Sequence, residues 1–139
     1  MRRPFVQARL AAVVLMIGSA GAIAGSFLPW IQATDPEAGI TLSKTGIEGH
    51  YAMLIDLMAV ISAGIAGIIL LRGSVPPQAA IALTSLALVE LGLVIFVGSN
   101  LGRGVAQLEA AGATAGLGMG LYLTGLGAVI GRASCRERV

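Results

Sequence analysis

Residues Ala79 to Gly98 read AAIALTSLALVELGLVIFVG: twenty consecutive positions with one ionisable side chain, Glu90. Twenty apolar residues wound as a helix cover the roughly 30 Å of hydrocarbon in a bilayer. A surface helix of a soluble protein keeps a polar face, and this run has none to offer. It therefore reads as a membrane span. Just before it, Gly73-Ser74-Val75-Pro76-Pro77 reads as a tight turn, because proline lacks the amide donor that would continue a helix. Three further apolar runs flank the pair: Leu10–Pro29, Tyr51–Leu71 and Ala113–Gly131. The predicted fold is all-α, a polytopic transmembrane four-helix bundle in a single domain over residues 1–129, with spans at 10–29, 51–71, 79–98 and 113–131.

Composition points the same way. The chain has 139 residues, of which 56% are hydrophobic and 12% charged, with a mean hydropathy of +0.89. A soluble domain carries about 25% charged residues. This chain cannot clothe itself in charge, and a bilayer does not require it to.

Orientation follows from lysine and arginine in short connections. Arg2, Arg3 and Arg9 precede the first span and Arg72 closes the second. The opposite side carries Lys44 and Arg103 among Asp35, Glu37, Glu48 and Glu109. The expectation is a multi-pass protein of the cytoplasmic membrane with a cytoplasmic N-terminus. The longer, polar 31–50 connection and the mixed 99–112 connection then face out, the latter with a short interfacial helix at 105–111. Trp30 and Tyr51 fall where an aromatic belt belongs. A rival reading makes the first span a cleavable signal peptide, with Ala22-Ile23-Ala24 before Gly25 as the cleavage site. The apolar run continues through Phe27-Leu28-Pro29-Trp30, which favours a retained span.

Small residues recur at helical spacing. Gly21 and Gly25 in the first span, Ala63 and Gly67 in the second, and Gly112, Gly116 and Gly120 leading into the fourth each stand four apart. That spacing lets helix backbones approach closely, within the bundle or between copies.

Polar residues inside spans are costly, a central charge being worth about 2.5–3.5 kcal/mol on insertion scales. Asp56, Glu90, Tyr122 and Ser19 come out at similar depths and form a candidate intramembrane polar site. Glu90 is expected to be carried uncharged and hydrogen-bonded, with Tyr122 as partner. No lysine, arginine or histidine lies in any of the four runs to pair with either acid. Such a layer is either a structural tie between helices or a proton- or cation-binding site.

Other chemistry finds little support. Glu48, His50 and Asp56 are too scattered for metal-ligand spacing, and one histidine at a loop end does not suggest a catalytic triad. Gly116, Gly118 and Gly120 lie in a predicted span, not in a phosphate-binding strand-to-helix turn. No catalytic residue, metal, cofactor or nucleic-acid partner is expected.

Two resemblances add to this reading. Gly25-Ser26-Phe27-Leu28-Pro29-Trp30, Gly46-Ile47-Glu48-Gly49 and Gly118-Met119-Gly120-Leu121-Tyr122 resemble motifs of small four-helix integral membrane proteins of actinobacteria and their relatives. That resemblance implies topology and compartment more than activity. The final ten residues, Ile130 to Val139 (IGRASCRERV), resemble one reading frame of a short-read sequencing adapter. Without them the formal charge falls from +2 to 0, because three arginines and one glutamate leave with them, and so does the lone Cys135. The sequence reading is thus a non-enzymatic structural or partner-binding membrane component. Its partners are the bilayer and a second copy or another membrane protein. The alternative is a small proton- or cation-linked transporter or channel subunit using Glu90 and Asp56.

Overall fold

The computed structural model describes residues 3–136, with side chains placed for residues 6–130. Its elements run α1 (Arg3–Phe27), β1 (Pro29–Asp35), β2 (Ile40–Thr45), a 3-10 turn (Gly46–Glu48), α2 (His50–Arg72), α3 (Pro77–Ala110), β3 (Thr114–Leu117) and α4 (Met119–Arg136). Three helices, α1 from Val6, α2 and α3, are long and apolar enough to cross a membrane. The described apolar part of α4, Met119–Ile130, is shorter.

The interior is built from small residues and the exterior from large ones. Eight of the sixteen buried hydrophobic residues are alanines, among them Ala22, Ala52, Ala59 and Ala66. Leu10, Ile17, Met53, Leu57, Ile68, Leu71, Ile81 and Phe96 stand exposed. Water would penalise such a rind by about 25 cal/mol per Å² of apolar surface. Lipid does not, and small interior residues are what close helix packing in lipid needs.

Helix ends follow local chemistry. Gly73 closes α2 in the left-handed conformation at φ 67°, its amide bonding Ile69 O at 2.7 Å. Pro77 opens α3 at a first-turn position where its missing N–H costs nothing.

Two features correct the expected four-helix layout, the first by adding a sheet to the all-α expectation. The 31–50 connection is a β-hairpin, and with β3 it makes an antiparallel sheet in the order β2-β1-β3. Asp35 builds the turn: its Oδ1 accepts from the Glu37 and Ala38 amides at 2.9 and 3.3 Å. The register slips between Pro29 and Ile31, leaving Trp30 as an extra residue in β1. A bulge re-aims a side chain, and here Trp30 is 4% exposed, inside the bundle end and out of any lipid-facing belt. Its indole Nε1 donates to Gly25 O at 3.0 Å, satisfying a carbonyl in the last turn of α1.

The second correction concerns α3. Its 34 residues make a helix of about 51 Å at 1.5 Å per residue. The expected break at residues 99–112 and the separate helix at 105–111 are absent: α3 continues to Ala110. It ends only where Gly112 takes φ 93°. Residues 114–117, expected to begin the fourth span, are strand β3 instead.

Two apolar clusters fill the bundle. One, at the sheet end, joins Trp30, Ala52, Ile55, Val94, Val97 and Leu121. The other joins Ala12, Leu15, Ala66, Ile69 and Leu83. The tail expected to be adapter-derived begins at Ile130. Helix α4 runs through it to Arg136, while the side chains from Gly131 on and the whole of residues 137–139 lie outside the described residues.

Candidate functional site

Between the two clusters, each helix contributes a buried polar side chain: Ser19 on α1, Ser62 on α2, Glu90 on α3 and Thr124 on α4. Glu90 is seven residues from Leu83 of one cluster and seven from Val97 of the other, or about 10 Å along the helix each way.

Asp56 is half-buried and held across the α1–α2 seam. Ser26 Oγ, fully buried at the end of α1, donates to Asp56 Oδ1 at 2.6 Å. Ser26 also lies 3.3 Å from Ala22 O, an alternative acceptor for the same hydroxyl proton. A hydrogen bond to a carboxylate is short and strong in a dry setting, so this pair ties two helices together.

Glu90 is 6% exposed on α3. It lies close enough to Asp56 for the two carboxyls to interact electrostatically. Both acids therefore belong to one polar locus, with Ser26 as its third member. The expected partner of Glu90 is elsewhere: Tyr122 is 64% exposed on the outer face of α4 and makes no bond to Glu90. Ser19 is buried.

The small residues divide along similar lines. Gly25 and Gly120 meet at the α1–α4 crossing, where a Cβ on Gly25 would stand 2.7 Å from Gly120 O and 2.7 Å from Thr124 N. Further along the same crossing, a Cβ on Gly127 would stand 2.5 Å from Gly18 O. The packing face of α1 is thus Gly18, Ala22 and Gly25. Gly21 and Gly67 have open space where a side chain would go, and Ala63 is half-buried. Gly112 and Gly116 lie in a turn and in β3, so no helical glycine face runs from 112 to 120.

Ser26, Ser62 and Thr124 were not singled out by sequence reading. The signal for Ser26 was present, since Gly18, Ala22 and Ser26 are themselves small residues four apart. Thr124 Oγ1 bonds Gly120 O at 2.9 Å and lies 3.4 Å from Ala22 O on α1. Among the described residues no three metal-ligating side chains gather. No family model matches the chain, and neither the curated proteins nor the solved structures contain a match to it.

Proposed function

We propose that this protein is a four-span, non-enzymatic component of a bacterial cytoplasmic membrane that presents its sheet outside the cell membrane to bind a membrane-protein partner or a second copy. The observation that carries this reading is the mounting of the sheet. Both long connections contribute strands to it, and Trp30 plugs it into the bundle through the bulge in β1. Such a fixture holds a recognition surface rigidly at one end of the helices. Edge strand β2 leaves Ile40 and Leu42 57% and 70% exposed. Unpaired strand edges are ready templates for another chain.

The orientation rests on charge. Arg9 and Arg72 lie on helices α1 and α2 at the end away from the sheet, the end the positive-inside rule assigns to the cytoplasm. The fourth span is α4. Kinship with the small actinobacterial four-helix proteins belongs to the same reading. A photocrosslinking residue at Leu42, in cells, is expected to give one discrete adduct that a probe at lipid-facing Leu57 does not give. Absence of any adduct specific to Leu42 overturns the partner-binding role.

One observation favours a second reading, a proton- or cation-linked transporter. Asp56 and Glu90 share a locus in the bundle, with no basic residue in the surrounding apolar runs. Intramembrane acids of this kind mark ion pathways in many transporters. Ion or proton flux in proteoliposomes, lost in Glu90→Gln while the protein still folds, would establish that reading over the first.

A further inference from the structure

A cavity of about 230 Å³ lies at the sheet end, between β1, β2, the start of α2 and the second half of α3. Trp30, Ala52, Val97 and Leu101 are among its apolar walls, and Lys44, Thr45, Tyr51 and Asn100 bring its polar groups. We propose that it holds part of one hydrocarbon chain of an anionic bilayer lipid, with Lys44 drawing the headgroup to the rim.

The lining sets the chemistry of the occupant. A buried water needs two to four polar partners, and these walls are almost wholly carbon. The size sets its extent: pockets for drug-sized ligands run about 300–1,000 Å³, so this one takes part of a single chain and not a cofactor.

Position sets the source. Tyr51, which lines the cavity, meets Phe96 edge-on at 5.7 Å, and both rings are about half exposed. Met53 and Ile95 beside them are exposed as well. The cavity therefore adjoins the apolar rind, where lipid chains lie, along the α2–α3 seam. Charge sets the headgroup. Lys44 is exposed on β2, and among the described residues no carboxylate pairs with it.

The cavity is also preformed. The Trp30 indole is fixed by its bond to Gly25 O and by Gly46, whose α-carbon sits so close that a Cβ there would overlap the ring. A rigid wall avoids an ordering cost on binding. The inference needs the membrane setting proposed above but no protein partner, so either can fail alone.

Trp30 is the only tryptophan in the chain, which makes the cavity wall its own reporter. The full chain is reconstituted in vesicles of unlabelled phosphatidylcholine doped with phospholipid brominated along its acyl chains, bromine being a contact quencher. Brominated phosphatidylglycerol is expected to quench Trp30 at low mole fraction and to saturate. Brominated phosphatidylcholine should need a mole fraction about fivefold higher, the equivalent of roughly 1 kcal/mol for one lysine near an anionic headgroup. Lys44→Gln, at an exposed strand position, should abolish that difference, and Leu101→Phe should lower the plateau by filling the cavity. Equal quenching by both lipids, a rise without saturation, or no quenching at all overturns the proposal. So does quenching by a brominated fatty acid added from water when brominated phosphatidylglycerol gives none, because the occupant is then a soluble amphiphile.

Discussion

Gly21 and Gly25 sit one helical turn apart on α1, and replacing each by alanine should shift stability in opposite directions. A methyl group at Gly25 would stand 2.7 Å from both Gly120 O and Thr124 N. Those are backbone atoms of α4, which cannot rotate away, so α4 itself must move. Overpacking of this kind costs about 1–3 kcal/mol, offset in part by the roughly 0.5–1 kcal/mol by which alanine is better than glycine inside a helix. Gly25→Ala should therefore lose about 1–2 kcal/mol. Gly21 has no atom within 4 Å of where its Cβ would be, so Gly21→Ala keeps the helical gain of about 0.5–1 kcal/mol with nothing against it. The two variants should differ by about 2 kcal/mol, close to thirtyfold in the folding equilibrium. Reversible unfolding in mixed micelles with increasing dodecyl sulfate, followed by circular dichroism and by Trp30 fluorescence, measures that difference. Equal loss in both variants would place Gly21 in the helix interface and refute the packing face described above. An unchanged Gly25→Ala would refute the close crossing of α1 and α4.

The polar contacts can be tested in the same titration. Ser26→Ala leaves the Asp56 carboxyl without its donor and should cost about 1–3 kcal/mol. Asp56→Asn keeps an acceptor oxygen and should cost less, and the reverse order would contradict the Ser26–Asp56 tie. Trp30→Phe retains the apolar plug but removes the indole bond to Gly25 O, which keeps only the Leu28 amide at 3.2 Å, for a loss of about 1 kcal/mol read by circular dichroism; no loss would mean the indole bond adds nothing. Tyr122→Phe, on the outside of α4, should change stability by less than about 0.5 kcal/mol, and a larger loss would restore the tyrosine to the interior.

Hydropathy alone located the helices that cross the middle of the molecule. The runs 51–71 and 79–98 lie inside α2 and α3, and the Gly-to-Pro turn between them stands where glycine and proline chemistry puts it. Hydropathy was blind to the second half of α3, because Ser99 to Ala110 is helical by local preference and by packing on β3, not by apolarity. The hairpin did leave a trace in the sequence. Thr34, Ile40, Thr41 and Thr45 flank Asp35-Pro36-Glu37-Ala38-Gly39, and β-branched residues around a turn cluster are a strand signal. Strand β3 left almost none: Thr-Ala-Gly-Leu is a strand because β1 offers it an edge. The site was legible as a list of costly residues and not as an arrangement. Placing Glu90 beside Asp56 and Tyr122 on the outside depends on how each helix is rotated, and glycines counted without their neighbouring alanines pointed to Gly21 where the packing face runs through Gly18 and Ala22.

The sheet and the polar locus are joined by six consecutive residues. Gly25 gives its carbonyl to Trp30 and its bare α-carbon to the crossing with α4. Ser26, the next residue, holds Asp56. Trp30, through its own carbonyl, accepts the Gly118 amide and so anchors the entry to α4. The last turn of α1 thus has three duties within Gly25 to Trp30, and each constrains the others. A residue larger than glycine at 25 would push α4 away from α1 and strain the Gly118 amide bond to the Trp30 carbonyl. A shift of Trp30 would open the cavity wall and loosen the turn that positions Ser26. The sequence spends its one tryptophan, a buried serine and a packed glycine on this turn. That concentration is hard to explain for a plain helix terminus, where a single cap suffices. It is what a junction requires when the sheet must keep a fixed position relative to the Asp56 and Glu90 carboxyls.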